Sequence, residues 1–135
     1  MKRTFIGYKG SNDLSTLNDS WAKFHSSPLA GISEYVCIYI PDGKGVEYFI
    51  GVSKENIPSD INISSFDNTV VEYEYFTIRT IKTEDSSMLV NKVINFWTKD
   101  HYEVKNAIPG GIECYKYDEK GNLYAELILP LSSNN

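Results

Sequence analysis

The side chains best suited to chemistry in this sequence are Glu113, Tyr115 and Tyr117, at alternating positions of one apolar segment. Successive side chains of a β-strand point to opposite faces, so these three share a face if the segment is a strand. A carboxylate flanked by tyrosines in a partly dry cleft would attract a ligand cation, and each aromatic face would add about 0.5–2 kcal/mol of cation–π attraction. The alternative is a solvated strand glutamate that pairs with a nearby lysine.

The other reactive residue types lack the partners that catalysis or metal binding needs. His25 and His101 end predicted helices, where an imidazolium interacts favourably with the helix dipole. No Gly-x-Ser-x-Gly or comparable motif supplies a nucleophile. Cys37 and Cys114 lie in apolar strand segments and are expected to be buried free thiols. With only two histidines to add, no metal-ligand spacing emerges, so neither a metal nor a cofactor is predicted.

Two similar stretches of sequence must position these residues. The pattern Trp-x-Lys-x-His begins at Trp21 and again at Trp97, 76 positions later, and at that offset residues 3–25 and 79–101 share six identities in 23 positions. Each stretch runs from a strand-like segment into an amphipathic helix, and two more strand-like segments follow it. We therefore predict one domain, 1–135, made of βαββ halves at about 3–52 and 70–130. A cleft on their pseudo-two-fold axis would be a natural ligand site.

Hydrophobic periodicity and turn residues set the expected elements. In chain order these are a strand at 4–8, a helix from Asn12 or Asp13 to His25, a strand at 32–40, a turn at 41–45, a strand at 46–52, a joint at 53–69, one long strand at 70–81, a helix from 84–87 to His101, and strands at 112–117 and 124–129, the last ended by Pro130. The predicted core faces of the helices are Leu14, Leu17, Trp21 and Phe24 in the first, and Val90, Val93, Ile94 and Trp97 in the second.

Composition narrows the class of protein. A net charge of -5, with no basic run longer than Lys2-Arg3, disfavours a direct nucleic-acid partner and suits small cations or basic proteins. No segment approaches the roughly 20 apolar residues that span a bilayer. The first residues carry basic side chains but no apolar run, so we expect no signal peptide, no membrane partner and a cytoplasmic location.

An ordered set of motifs resembles the GyrI-like family, also called the bacterial transcription-activator (AraC-type) effector-binding domain. Residues 21–24 resemble its "LWxxF" helix, 35–37 its "YGVC" strand, 46–52 its "FxYxxGV" strand, 75–78 its "YAVF" segment, and 112–115 with 126–130 its "FExY…(V/E)xxIP" pattern. Val36 replaces the glycine of the second motif. No helix-turn-helix precedes the first strand, so the resemblance points to a stand-alone member.

The resemblance implies an α+β fold in which two pseudo-symmetric βαββ modules form a curved antiparallel sheet, with two helices flanking a central ligand cleft. In the family this cleft has aromatic walls and a glutamate at its base, and it binds amphipathic, often cationic, molecules. Glu113 matches that glutamate and Tyr48 matches the tyrosine of "FxY". The predicted ligand-binding residues are Glu113, Tyr48, Tyr115, Tyr39, Trp97 and Trp21. Core packing is the alternative role for Tyr48 and both tryptophans, and at most one of Tyr75 and Phe76 faces the pocket.

Three functions follow, in order of preference. The first is binding of an amphipathic cationic or aromatic molecule by a sensor or sequestering protein, of the multidrug-binding and transcription-regulation type. The second is hydrolysis of reactive small electrophiles, with Glu113 as general acid or base assisted by Tyr48. The third is inhibition of DNA gyrase by protein contact. The expected partners are a small ligand and, beyond it, a transcription regulator or gyrase.

Overall fold

The computed structural model describes residues 1–10, 16–32, 34–41 and 46–133. The strands are β1 (Lys2–Gly10), β2 (Tyr35–Pro41), β3 (Val46–Ser53), β4 (Asp67–Glu72), β5 (Tyr75–Ile81), β6 (Gly111–Tyr117) and β7 (Leu123–Leu131), and the α-helices are α1 (Leu17–His25) and α2 (Leu89–Thr98). Short 3-10 turns lie at Pro28–Gly31, Lys54–Asn56, Ser86–Met88 and Asp100–Glu103. The predicted cap at Asn12 or Asp13, Leu14, and turn residues 42–45 fall outside the described ranges.

The seven strands found in the described residues form one antiparallel sheet in the order β4-β1-β3-β2-β6-β7-β5. The predicted α+β class, with a curved antiparallel sheet and two helices, is confirmed. Without β4, the order places β2 and β6 at the centre, β3 and β7 outside them, and β1 and β5 outermost. The internal repeat itself stays a prediction.

The single long strand predicted at 70–81 is wrong, because the chain turns a corner at Tyr73 and Glu74. Before the corner β4 pairs with β1, and after it β5 pairs with β7, at opposite edges of the sheet. Seven flat strands would span about 29 Å, whereas three Cα–Cα steps reach at most about 11 Å. The sheet must therefore curve enough to bring the end of β4 and the start of β5 within that distance, although the two edge strands do not pair. At this corner the amino terminus of Met1 donates a 2.8 Å hydrogen bond to the Tyr73 carbonyl.

The two faces of the sheet bury different cores. The face away from the helices packs Phe5, Val36, Ile38, Phe49, Val71, Ile112, Cys114 and Ile128 together, with Met1 and Tyr73 from the corner against them. On the other face, α1 covers one half of the sheet and α2 the other. Trp21 and Tyr35 contact both helix-side clusters, so they mark the seam between the helices. Cys37 and Cys114 are buried and free, as expected.

The last strand and the second helix differ from their predicted bounds. Strand β7 runs through Pro130 to Leu131, since proline removes only a donor and its carbonyl still accepts a 3.0 Å hydrogen bond from the Ile108 amide. Helix α2 begins at Leu89, after a 3-10 turn that the Asp85 side chain caps by accepting from the Ser87 amide at 3.0 Å. His101 lies beyond α2, in the following 3-10 turn.

Candidate functional site

A cleft of about 410 Å³ opens between α1 and α2 above the two central strands. Helix α1 contacts β1 and β3, and α2 contacts β5 and β7, so the two central strands lie between the helices. The described lining is Leu17, Asn18 and Trp21 from α1, Val90, Val93 and Ile94 from α2, and a floor of Tyr35, Tyr39, Glu113 and Tyr115. The cleft therefore has one aromatic wall, one aliphatic wall and an acidic, tyrosine-rich floor.

Glu113 lies at the bottom of this cleft and is 4 % exposed. Its Oε1 accepts a 2.8 Å hydrogen bond from the Trp97 indole Nε1, and its Oε2 accepts a 2.7 Å hydrogen bond from the Tyr115 hydroxyl. Gly111 makes this arrangement possible, because a Cβ there would lie 2.6 Å from Cη2 of Trp97. The carboxylate orientation is thus fixed by neighbouring side chains before any ligand arrives.

The register of β2 against β6 arranges the floor in three rows. Tyr35 is opposite Tyr115, Cys37 is opposite Glu113, and Tyr39 is opposite Gly111. The rings of Tyr35 and Tyr115 stack with centroids 5.1 Å apart. Glu113 therefore lies across from the Cys37 thiol, which is fully buried and does not line the cleft. Cys37 and Glu113 are also separated by the 76 positions that relate the two tryptophan motifs.

The electrostatics of the floor follow from burial. Loss of solvent raises the pKa of Glu113, against the opposing effect of the hydrogen bonds from Tyr115 and Trp97. Burial and the nearby carboxylate raise the pKa of Tyr115 far above its ordinary value, and burial raises the pKa of Tyr35 to about 12. The tyrosines therefore stay protonated at neutral pH. No lysine or arginine of the described residues forms an ion pair with Glu113, so within that part of the chain the carboxylate has no cationic partner.

This pKa shift predicts a specific pH dependence of stability. Between the usual value of 4.5 and the higher native pKa, folded Glu113 holds a proton that the unfolded chain has released. The contribution of this residue to stability is therefore greatest below that interval and is lost as the pH rises through the native pKa. Glu113→Gln should gain thermal stability relative to wild type as the pH rises across the interval. Exposed Glu47→Gln is the control, and a pH-independent difference for Glu113→Gln in melting temperature would contradict the prediction.

The predicted site residues divide between the cleft and the layers around it. Glu113, Tyr115, Tyr39 and Trp21 line the cleft, whereas Trp97 stands behind Glu113 and contacts Tyr39 edge-on at 6.1 Å. Each tryptophan also contacts the histidine of its motif. The ring centroids lie 5.8 Å apart for Trp21 and His25, and 5.3 Å apart for Trp97 and His101.

Tyr48 is not among the described residues that line the cleft. It is 1 % exposed on β3 beneath α1, and its hydroxyl hydrogen-bonds the side chains of Thr16 and Ser20. The Glu113 carboxylate is instead paired with Tyr115. Tyr75 and Phe76 are both exposed on β5, and neither belongs to the described lining.

Sequence reasoning missed one floor tyrosine and misassigned two side chains of α2. Tyr35 shares the floor with Tyr39, as the alternation along β2 would have indicated. Val90 and Ile94 were predicted to face the core, which is wrong: they are 58 % and 52 % exposed and form the open wall of the cleft. The buried side of α2 consists of Leu89, Val93 and Phe96. The only sequence signal for these two residues is their i, i+4 spacing, which places them on one face of the helix. That spacing does not distinguish a face buried in the core from one that lines a cleft.

Comparison with solved structures shows which proteins share this fold. SAV2435, solved bound to tetraphenylphosphonium, superposes with a TM-score of 0.71 at 14% identity, over 98% of this chain and 90% of its own. A Staphylococcus aureus MU50 protein provisionally assigned to bacterial transcription regulation superposes with a TM-score of 0.71 at 13% identity, over 98% of this chain and 94% of its own. At these identities the likeness shows a shared fold.

No protein-family model matches the sequence, and no curated protein matches it. Among the described residues, no helix is long and apolar enough to cross a membrane, and no cluster of three or more His, Cys, Asp or Glu side chains could hold a metal ion.

Proposed function

We propose that this protein is a GyrI-like effector-binding domain that holds an amphipathic aromatic monocation in the cleft, as a sensor or sequestering protein. The observation that carries the proposal is the buried Glu113 carboxylate, which is oriented by two donors and has no cationic partner among the described residues. A ligand cation would supply that partner.

The walls of the cleft suit the apolar and aromatic groups that surround the charge of such a ligand. Val90 and Ile94 offer exposed apolar surface on one wall, and Trp21 offers an aromatic face on the other. Burial of apolar area contributes roughly 25 cal/mol per Å², and the tyrosines of the floor add cation–π attraction. A volume of about 410 Å³ lies within the usual range for small-molecule sites, roughly 300–1,000 Å³.

A single carboxylate at the centre of the floor favours a ligand with one positive charge. Cys37, the residue opposite Glu113, is buried and its pKa is raised well above the ordinary value, so it stays neutral. SAV2435 shares the fold and was solved with tetraphenylphosphonium, a monocation with four phenyl groups. That likeness supports the proposed ligand class at the level of the fold.

Tetraphenylphosphonium is therefore the first probe. We expect it to raise the melting temperature saturably, following RT ln(1 + [L]/Kd), which amounts to about 2.7 kcal/mol at 100 times Kd. It should also change tryptophan fluorescence, because Trp21 lines the cleft. Triphenylphosphine oxide, an uncharged analogue, should stabilise much less. If a folded sample shows no thermal shift with either compound up to solubility, the binding function is wrong.

Hydrolysis of a small electrophile is the second candidate, favoured by one feature of the floor. Burial raises the pKa of Glu113, and a carboxyl group titrating closer to neutrality is a better general acid or base. Tyr115, 2.7 Å from Oε2, would be the assisting hydroxyl in place of Tyr48. Turnover of an activated ester or epoxide that disappears in Glu113→Gln would favour this activity over binding alone. Inhibition of DNA gyrase stays a prediction. No feature of the described residues supports it.

A further inference from the structure

The two outermost strands of the symmetric sheet order differ in how their edges are covered. Strand β1 pairs with β3 on one side and with β4 on the other. Strand β5, which holds the corresponding place in the other half, pairs only with β7 among the described residues. Its outer backbone groups therefore face away from the sheet. Such an edge is a template for one more strand.

A groove of about 750 Å³ runs along this edge. Arg79, Thr80, Ile81 and Lys82 all line it. The first three are consecutive residues of β5, and successive strand residues point to opposite faces, so a groove that contacts all three lies along the strand edge. The opposite wall comes from α2 and the turn Asp100–Glu103. An edge strand facing a helix across a groove is a geometry that accepts an extended peptide by β-strand addition.

The charge of the groove indicates the kind of peptide. Its basic side chains are Arg79, Lys82, Lys92 and Lys105, and its acidic ones are Asp100 and Glu103. The four basic residues are exposed, and none forms an ion pair within the described residues. The Lys92 ammonium donates a 3.3 Å hydrogen bond to the Lys82 carbonyl, which holds it beside the strand. The groove carries excess positive charge on a protein of net charge -5.

Strand β4 is the segment of this chain that pairs with the outer edge of β1, the counterpart of the β5 edge. Its sequence, Asp67–Glu72, has acidic residues at both ends, with Asn68 and the β-branched Thr69, Val70 and Val71 between them. Glu72 pairs across from Lys2 on β1, and the Asp67 carboxylate accepts a 3.0 Å hydrogen bond from the Lys9 amide. An acidic, β-branched segment is therefore compatible with an antiparallel edge that carries basic residues.

We propose that the β5 edge is a docking site for an extended acidic peptide segment of a partner protein, added as an antiparallel strand in this groove. The peptide would lie against β5 as β4 lies against β1, and its carboxylates would meet Arg79, Lys92 and Lys105, while the Lys82 ammonium lies over the Tyr124 ring. Pairing of β5 with β5 of a second copy is disfavoured, because it would bring two such positive grooves together.

A labelled peptide tests the site directly. The probe is a fluorescein-labelled synthetic peptide with the sequence of residues 65–74, Ser-Phe-Asp-Asn-Thr-Val-Val-Glu-Tyr-Glu, titrated with the full chain and followed by anisotropy. We expect saturable binding that weakens at least tenfold in the double variant Arg79→Glu, Lys92→Glu. The matched control is Lys23→Glu, Lys54→Glu, which reverses two exposed lysines outside the groove and should bind the peptide within twofold of wild type.

Backbone pairing has its own test. Of two peptides N-methylated at alternate residues, one should lose binding at least tenfold, since only one set of amides faces β5. Absence of saturable binding at millimolar peptide, or equal binding by the double variant and wild type, would overturn the proposal. So would a dimer in sedimentation that Thr80→Pro dissociates, because the edge would then belong to a second copy. Melting temperature and tetraphenylphosphonium binding of each variant separate failure of this site from misfolding and from failure of the cleft.

Discussion

Glu113→Gln should weaken tetraphenylphosphonium binding by about 1.5–3 kcal/mol, the range for hydrogen bonds to charged groups. That corresponds to roughly 10- to 150-fold in Kd. Gln retains the shape of the side chain and one oxygen for the Trp97 indole, so the cleft should persist while its charge disappears. Isothermal titration at pH 8, where the wild-type carboxyl is more fully ionised than at lower pH, measures the difference.

The neutral ligand separates charge from shape in this experiment. Triphenylphosphine oxide should bind wild type and Glu113→Gln with affinities that differ much less than those of the cation. Glu47→Gln, an exposed carboxyl on β3, should leave both affinities unchanged. Equal losses for the cation and the neutral ligand in Glu113→Gln would show that Glu113 supports the cleft structurally and is not the counter-ion.

Gly111→Ala should destabilise the fold by about 2–6 kcal/mol and also reduce cation binding. The backbone of Gly111 has φ +153°, a region that costs other residues about 1–3 kcal/mol. Its new Cβ would lie 2.6 Å from Trp97 and 2.8 Å from the Ile128 carbonyl oxygen, and such overpacking costs about 1–3 kcal/mol more. Displacement of Trp97 would release Oε1 of Glu113. Urea unfolding and tetraphenylphosphonium titration measure the two effects.

Gly121→Ala is the matched control for this substitution. Gly121 also has a positive φ, +82°, but a Cβ there meets nothing within 4 Å. Gly121→Ala should lower the free energy of unfolding only by the cost of holding an alanine at this positive φ, about 1–2 kcal/mol. The affinity for the cation should stay unchanged. If Gly111→Ala also kept wild-type affinity, the contact of Trp97 with Gly111 would not position the carboxylate.

The alternation of apolar and polar residues, together with turn-forming residues, was enough to predict most strands. Both signals depend only on residues close together in sequence. The corner at Tyr73 and Glu74 escaped them, since a strand that changes partners keeps its alternation and shows no break in sequence. A proline predicts a strand end, whereas β7 continues through Pro130, whose carbonyl accepts a hydrogen bond from the Ile108 amide. Both outcomes depend on which strand lies alongside, and local sequence does not encode that.

The same limit explains the mixed result for the site. Glu113 and Tyr115 could be placed on one face from their spacing, and the structure joins them by a 2.7 Å hydrogen bond. Tyr48 also points to the helix side of the sheet, yet β3 lies under α1, so this tyrosine is covered. Tyr35 lies on central β2 and reaches the floor. The order β3-β2-β6, which no local pattern specifies, decides between the two tyrosines.

Helix α2 has a different environment on each side. Val90, Val93 and Ile94 line the cleft, while Lys92, Asn95 and Phe96 line the groove beside β5. A shift of this one helix changes the shape of both at once. If occupation of the cleft alters the affinity of the groove by some factor, thermodynamic reciprocity requires the occupant of the groove to alter the affinity of the cleft by the same factor. Under that condition the ten residues of α2, which contribute to both linings, are the element through which the two binding equilibria would be coupled.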